Sequence, residues 1–140
     1  MTPQAIRDAV AADPTLQVMA SEGRVADIAA ALSAGRTRLG TVSVGDFASW
    51  AAAAGMRAVI EDHAANVASP MRSIALALRD VLAGNIGGIR LDLPANVAML
   101  AAWVAAGELS TANHDALLAL ATEPDPVPTN DVSEALAGGA

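Results

Sequence analysis

The chain of 140 residues contains no cysteine and no lysine, and these two absences exclude several kinds of chemistry. Without cysteine there is no disulfide scaffold, no zinc knuckle, no iron–sulfur ligation and no thiol nucleophile. Without lysine there is no Walker-type phosphate loop, no Schiff base and no lysine nucleophile. The basic residues are eight arginines against fifteen acidic residues, which gives a formal net charge of −7. Because binding to a phosphate backbone needs clustered positive charge, we expect no nucleic-acid partner.

Aromatic residues make up only 2% of the chain, although hydrophobic residues make up 54% and alanine alone about a quarter. Alanine is the best helix former and is poor in strands. We therefore predict an all-α fold, a compact bundle of about seven or eight short helices. The longest uncharged stretch, 93–107, contains a proline and is shorter than the roughly 18–20 apolar residues that a membrane span needs. We expect no membrane partner and a soluble protein made in a cytoplasm.

Prolines and glycines mark the expected helix boundaries. The pairs at 13–14 and 69–70 place a capping Asp or Ser before a proline at the first helical position. Glycines such as Gly84 follow amphipathic runs, as is typical of helix ends. Two segments break the helical pattern, near Val42–Val44 and at 89–93, where apolar and polar residues alternate. Such extended pieces allow a tiny β-ribbon between these two segments.

The C-terminal part of the sequence is separated from the rest by prolines. The segment 123–128 reads Glu-Pro-Asp-Pro-Val-Pro, which favours an extended linker. Thr129 is predicted to cap a last short helix that carries Val132 and Leu136 on its apolar side. We therefore predict a helical domain over 1–121 and an arm over 122–140, made of the proline-rich linker and the short C-terminal helix.

The residue types that support catalysis or metal binding do not form a recognisable motif. His63 and His114 have no His, Cys, Asp or Glu three or four residues away on a helix, the spacing that metal ligands need. The glycine-rich segment 84–88 follows a helix rather than a strand and lacks lysine, so it is interpreted as a turn. No G-x-S-x-G nucleophile elbow is present. We expect no enzymatic activity, no cofactor and no metal.

Six residues are candidates for contacts with a partner protein. The Arg36 and Arg38 charges either complement the end of the preceding helix or form salt bridges to a neighbouring copy. Trp50 follows Phe47 by three positions; Phe47 is predicted for the core, and Trp50 is either a core residue or a partner anchor. The apolar residues of the arm complete the set of candidates, which is Arg36, Arg38, Trp50, Val127, Val132 and Leu136.

Both ends of the chain contain distinctive sequence motifs. The opening, TPQAIRDAVAADPTLQVMASEGRVADIAAALSAGRTRL, contains an Ala-Asp-Pro break and a run similar to AALSAGRTKL, with Arg38 where lysine is expected. The closing GELSTANHDALLALATEPDPVPTNDVSEAL contains a helix, an acidic proline-rich break and a short final helix. These ends, about half the chain, resemble small proteins that tailed bacteriophages encode near their tail and tail-fibre genes.

The resemblance implies a structural protein of the virion, in the tail, the neck or the capsid, with no catalytic residues to carry over. It implies other phage structural proteins as partners, a homo-oligomer or array, and a location in the virion after synthesis in the host cytoplasm. Two alternatives stay open. One is a tail or fibre assembly chaperone that is absent from the mature particle, and the other is a small helical regulatory binding protein.

Overall fold

The computed structural model of the chain describes residues 1–138, which form nine helices and four very short strands. The predicted all-α fold class is therefore confirmed. Within this part of the chain, no helix combines the length and hydropathy that crossing a membrane requires. The helices are α1 (Pro3–Ala12), α2 (Pro14–Ser21), α3 (Val25–Ser33), α4 (Val44–Ala53), α5 (Met56–Ala65), α6 (Arg72–Leu82), α7 (Pro94–Ala105), α8 (Thr111–Ala121) and α9 (Thr129–Ala137). The strands are β1 (Thr37–Leu39), β2 (Thr41–Val42), β3 (Ile89–Arg90) and β4 (Thr122–Pro124).

Side-chain caps explain where several helices begin. The Asp13 carboxylate accepts a hydrogen bond from the Thr15 N–H at 2.8 Å, so that α2 begins at the predicted proline. The expected start at Ser69-Pro70 is wrong, because α6 begins at Arg72. Ser69 instead caps the preceding turn, where its hydroxyl accepts the Met71 N–H at 3.1 Å. A correctly recognised capping residue therefore predicted the helix start two residues too early.

Contacts within the chain group it into two compact units. Unit 1 comprises Met1–Arg38 and the described residues from Pro124 onward, and it contains α1, α2, α3 and α9. In this unit α9 packs against both α1 and α3. The arm predicted at 122–140, whose residues 139 and 140 lie outside the described residues, therefore contains a helix that contributes to the core of unit 1. That core consists of Ile6, Val10, Leu16, Ile28, Ala29, Val127, Val132 and Ala135.

Unit 2 comprises Leu39–Glu123 and contains α4 to α8 with the paired strands β2 and β3. These strands pair antiparallel, with Thr41 opposite Arg90 and Val42 opposite Ile89, so the predicted ribbon is confirmed. Gly88 precedes the ribbon with φ +138°, and a Cβ there would collide with the Val42 carbonyl oxygen. The core of unit 2 includes Phe47, as predicted, together with Trp50, Ile60, Leu78, Leu100, Trp103 and Leu117.

Candidate functional site

The linker before α9 is held on unit 1 by paired polar contacts. The Asp125 carboxylate forms an ion pair with the Arg36 guanidinium, and the Asp125 N–H donates to the Arg36 carbonyl at 3.1 Å. Two residues later, the Val127 N–H donates to the Ser33 hydroxyl oxygen at 2.8 Å. The two charged side chains are only 35% and 27% exposed, so water screens their attraction less than it screens a pair on the open surface. These contacts fix the register of the linker.

Apolar side chains then anchor α9 itself. Val132 and Ala135 are fully buried, and Leu136 packs against the same cluster as a partly buried side chain. The Arg7 guanidinium on α1 donates to the Ala135 carbonyl at 3.3 Å. An amphipathic helix that buries one face in a receiving surface is a common mode of protein recognition. Residues 124–137 of the arm and the surface formed by α1 and α3 are therefore the candidate functional site, and we call them the arm site.

The structure places the six predicted contact residues in different environments. Val127, Val132 and Leu136 lie in the arm site, and Arg36 pins the linker there. Arg38 lies exposed on β1. Trp50 lies in the core of unit 2 with 8% of its surface exposed, stacked on Phe47 with ring centroids 5.5 Å apart. Its indole N–H donates to a backbone carbonyl of α8 at 2.9 Å, so this side chain serves the chain's own core.

Unit 2 also contains a polar cluster that sequence reasoning missed. The Ser69 hydroxyl lies 2.6 Å from His63 Nδ1, and His63 Nε2 lies 3.5 Å from a Glu108 carboxylate oxygen. The imidazole meets the Trp103 ring edge-on, with centroids 5.1 Å apart. His63 and Ser69 are six residues apart across the end of α5, whereas Glu108 follows α7. The six-residue spacing was visible in the sequence, but no sequence signal connected Glu108 to it.

The order serine, histidine, glutamate is that of hydrolytic triads, in which the imidazole takes the proton of the hydroxyl. Here the Ser69 oxygen already accepts the Met71 N–H as the cap of a turn. The contacts of this cluster link the end of α5, the following turn and Glu108, which follows α7. Within residues 1–138, no three His, Cys, Asp or Glu side chains lie together as a metal site requires.

An apolar cavity of about 140 Å³ lies elsewhere in unit 2, between α6, the turn before β3 and α7. Leu78, Val81 and Ile89 form part of its wall, and the largely exposed Ile86 lies at its margin. Its lining contains one polar side chain, Asn96. The lining of this cavity therefore lacks the several converging polar groups that usually fix the orientation of a small ligand.

Comparison with known proteins adds no relative. No protein-family model, no curated protein and no solved structure matches the chain. We therefore argue its function from the contacts described above, together with the resemblance of its two ends.

Sequence reasoning identified the arm residues but not the surface that they contact. The linker partner Arg36 follows a helix end, and Asp125 lies between two prolines. Two opposite charges in irregular segments were the only signal for this ion pair. Ser33 carried no signal, because a serine near a helix end is usually interpreted as a surface residue or a cap.

Proposed function

We propose that this chain is a non-enzymatic structural protein of a tailed bacteriophage particle, in the tail, the neck or the capsid, and that it acts through protein–protein contacts. The arm site is the observation that carries the proposal. It combines a buried anchor, Val132, with a linker pinned at Asp125 and Val127. Protein chains commonly bind one another in this way, when an amphipathic helix of one chain docks on a complementary apolar surface of the other.

The arm can serve a neighbouring copy as well as its own chain, because the polar contacts that hold the linker and α9 join them to Arg7, Ser33 and Arg36 of one continuous surface. The linker is stiff, since proline locks its own φ and restricts the residue before it. A stiff extended linker loses little conformational entropy on docking, which favours docking by either route. We propose that in the assembled particle arms dock on neighbouring copies.

Quantitative mass spectrometry of density-purified particles tests the virion assignment. The particles are those of the phage that encodes the chain. We expect the chain at a fixed ratio to the major capsid or tail protein, and the ratio separates a tube or shell component from a neck component. If the chain is abundant in infected lysate but missing from particles, the virion assignment is wrong. An assembly chaperone then becomes the better explanation.

Disulfide trapping tests whether the arm connects copies, and the absence of native cysteine keeps its background clean. Chains carrying Ser33→Cys and Val127→Cys separately are mixed at high concentration and oxidised. Docking between copies should give a disulfide-linked dimer, because the Val127 N–H lies 2.8 Å from Ser33 Oγ. Ser33→Cys mixed with Ala52→Cys, an exposed position on α4, measures random collision. Equal dimer yields from the two mixtures would show that the arm does not pass between copies.

A further inference from the structure

Among the described residues, two of the eight arginines differ from the others because their side chains have no partner. Within residues 1–138, the side chains of Arg57 and Arg79 make no hydrogen bond or ion pair with another residue. Two of the paired arginines show the effect of their partner in the pKa: hydrogen bonding to Asp27 raises the pKa of Arg24, and hydrogen bonding to Asp92 raises that of Arg90. The six arginines that have contacts within the chain are Arg7, Arg24, Arg36, Arg38, Arg72 and Arg90.

The two unpartnered arginines line the same cleft of unit 2. Arg57 is in the first turn of α5 and Arg79 is in the last turn of α6, and these two helices pack against each other. The cleft has a volume of about 250 Å³, and Glu61, Leu82 and Ala83 complete its lining. Two guanidinium groups therefore face one open space that is large enough to admit the side chains of another protein.

The positions of Arg57 and Arg79 on their own helices do not explain both positive charges. Near the N-terminus of α5 the helix dipole disfavours a cation, so Arg57 lies at the less favourable end of its helix. Glu61 is four residues further along α5, the spacing of a helical ion pair, yet the two side chains do not pair. Arg79 lies at the favourable end of α6, but its guanidinium donors still have no carboxylate.

The acidic residues are distributed differently from the arginines along the sequence. Residues 1–90 contain all eight arginines and eight acids, whereas residues 91–140 contain seven acids and no arginine. In 91–138, five of these acids have a basic partner or another contact within the chain. The two others are Asp131, whose carboxylate has no partner among the described residues, and Glu134, whose carboxylate accepts only the Asn130 side-chain amide. They lie three residues apart on α9, so that their carboxylates share one face of the helix. Among the described residues Asp46, Glu61, Asp62 and Asp80 also have no side-chain partner, but no two of them lie three or four residues apart on one helix.

We propose that the Arg57–Arg79 cleft of one copy binds the Asp131 and Glu134 carboxylates of a second copy of this chain. The two guanidinium groups outnumber the single carboxylate of the cleft lining, Glu61, and arginine suits a contact with carboxylates because its planar donors match carboxylate geometry. The donor and acceptor surfaces are different, so the contact is heterologous and repeats from copy to copy into a ring or a filament. This contact identifies a second copy of the chain as the partner in the proposed structural function. The inference rests on that proposed function only for its biological setting.

Self-association of the purified full-length chain, measured by sedimentation equilibrium at about 0.05 M salt, tests the contact. Raising the salt to about 0.5 M should weaken association, because the screening length then falls to a few ångströms. The double variant Arg57→Glu/Arg79→Glu should associate at least about tenfold more weakly, and so should Asp131→Arg/Glu134→Arg, since each places like charges opposite each other. A chain carrying all four reversals should regain the association of the original chain.

The matched control is Arg24→Glu/Arg90→Glu, which changes the net charge by the same amount at exposed positions outside the cleft. It should associate like the original chain. Far-UV circular dichroism verifies the fold of each variant. If Arg57→Glu/Arg79→Glu unfolds the chain, Arg57→Gln/Arg79→Gln is measured in its place. The proposal is overturned if the original chain stays monomeric at low salt, if the control weakens association equally, or if the fourfold reversal stays folded without restoring it. None of these outcomes depends on whether the chain occurs in particles, so failure here is distinguishable from failure of the virion assignment.

Discussion

Replacing Val132 by alanine measures how strongly α9 is docked. The Val132 side chain is 0% exposed in the core of unit 1. Each buried carbon that the substitution removes is worth about 0.8 kcal/mol, and the cavity left behind adds roughly 1 kcal/mol. Alanine has a higher helix propensity than valine, which returns about 0.5 kcal/mol on this helix. We therefore expect the free energy of unfolding to fall by about 2 kcal/mol.

Val18→Ala is the matched control for this substitution. Val18 lies in the same unit on α2 but is 54% exposed, so the same two carbons are removed from a partly hydrated site. We expect its free energy of unfolding to change by less than about 0.5 kcal/mol. Urea denaturation followed by far-UV circular dichroism measures both variants, because this signal reports the helices of both units.

Tryptophan fluorescence in the same titration separates the two units, since Trp50 and Trp103 both lie in unit 2. If Val132→Ala shifts only the circular dichroism transition, unit 1 unfolds on its own. If Val132→Ala costs no more than Val18→Ala, α9 is not packed in solution and the reasoning about the arm site is refuted. A midpoint that rises with protein concentration would show that docking occurs between copies.

Two further predictions concern unit 2, and urea titration with tryptophan fluorescence measures both. Gly88→Ala should lower the free energy of unfolding by at least about 2 kcal/mol, because an added Cβ collides with backbone at a φ that alanine disfavours; Gly87→Ala, with open space around it, is the control. A Gly88→Ala variant as stable as its control would contradict the described ribbon. Ser69→Ala should cost about 1–2 kcal/mol, since it removes the cap of a turn and a hydrogen bond to the imidazole. The exposed Ser73→Ala on α6 should be nearly neutral, and equal effects at both serines would exclude a structural role for the cluster.

The parts of the fold that could be predicted from sequence are those that neighbouring residues decide. The pair Asp13-Pro14 combines a capping carboxylate with a fixed φ, and both act within one turn. The alternation near Val42 and Ile89 indicated extended segments, and their pairing follows from the need to satisfy backbone groups. At Ser69-Pro70 two local signals competed, and the serine capped a turn before the helix rather than the helix itself.

The sites that could not be predicted depend on residues far apart in the sequence. Glu108 reaches His63 only because α7 and α5 lie in the same unit, and no local pattern marks that approach. The cleft of unit 2 brings together the first turn of α5 and the last turn of α6. Arg57 and Arg79 look like ordinary surface arginines in the sequence. They are distinguished by the cleft that they share and by side chains that have no partner among residues 1–138.

The arm shows why the amphipathic pattern of a helix predicts that one of its faces is buried but does not predict which surface that face packs against. Val132 and Leu136 indicated an apolar face, which the structure covers with α1 and α3 of the same chain. The same face would be covered equally well by α1 and α3 of another copy, because the contacts would be identical. The difference lies in concentration: a short linker holds the arm near its own surface at an effective concentration of about millimolar. Docking within the chain therefore prevails in dilute solution, whereas a particle that packs its copies at millimolar local concentration makes exchange between neighbours competitive.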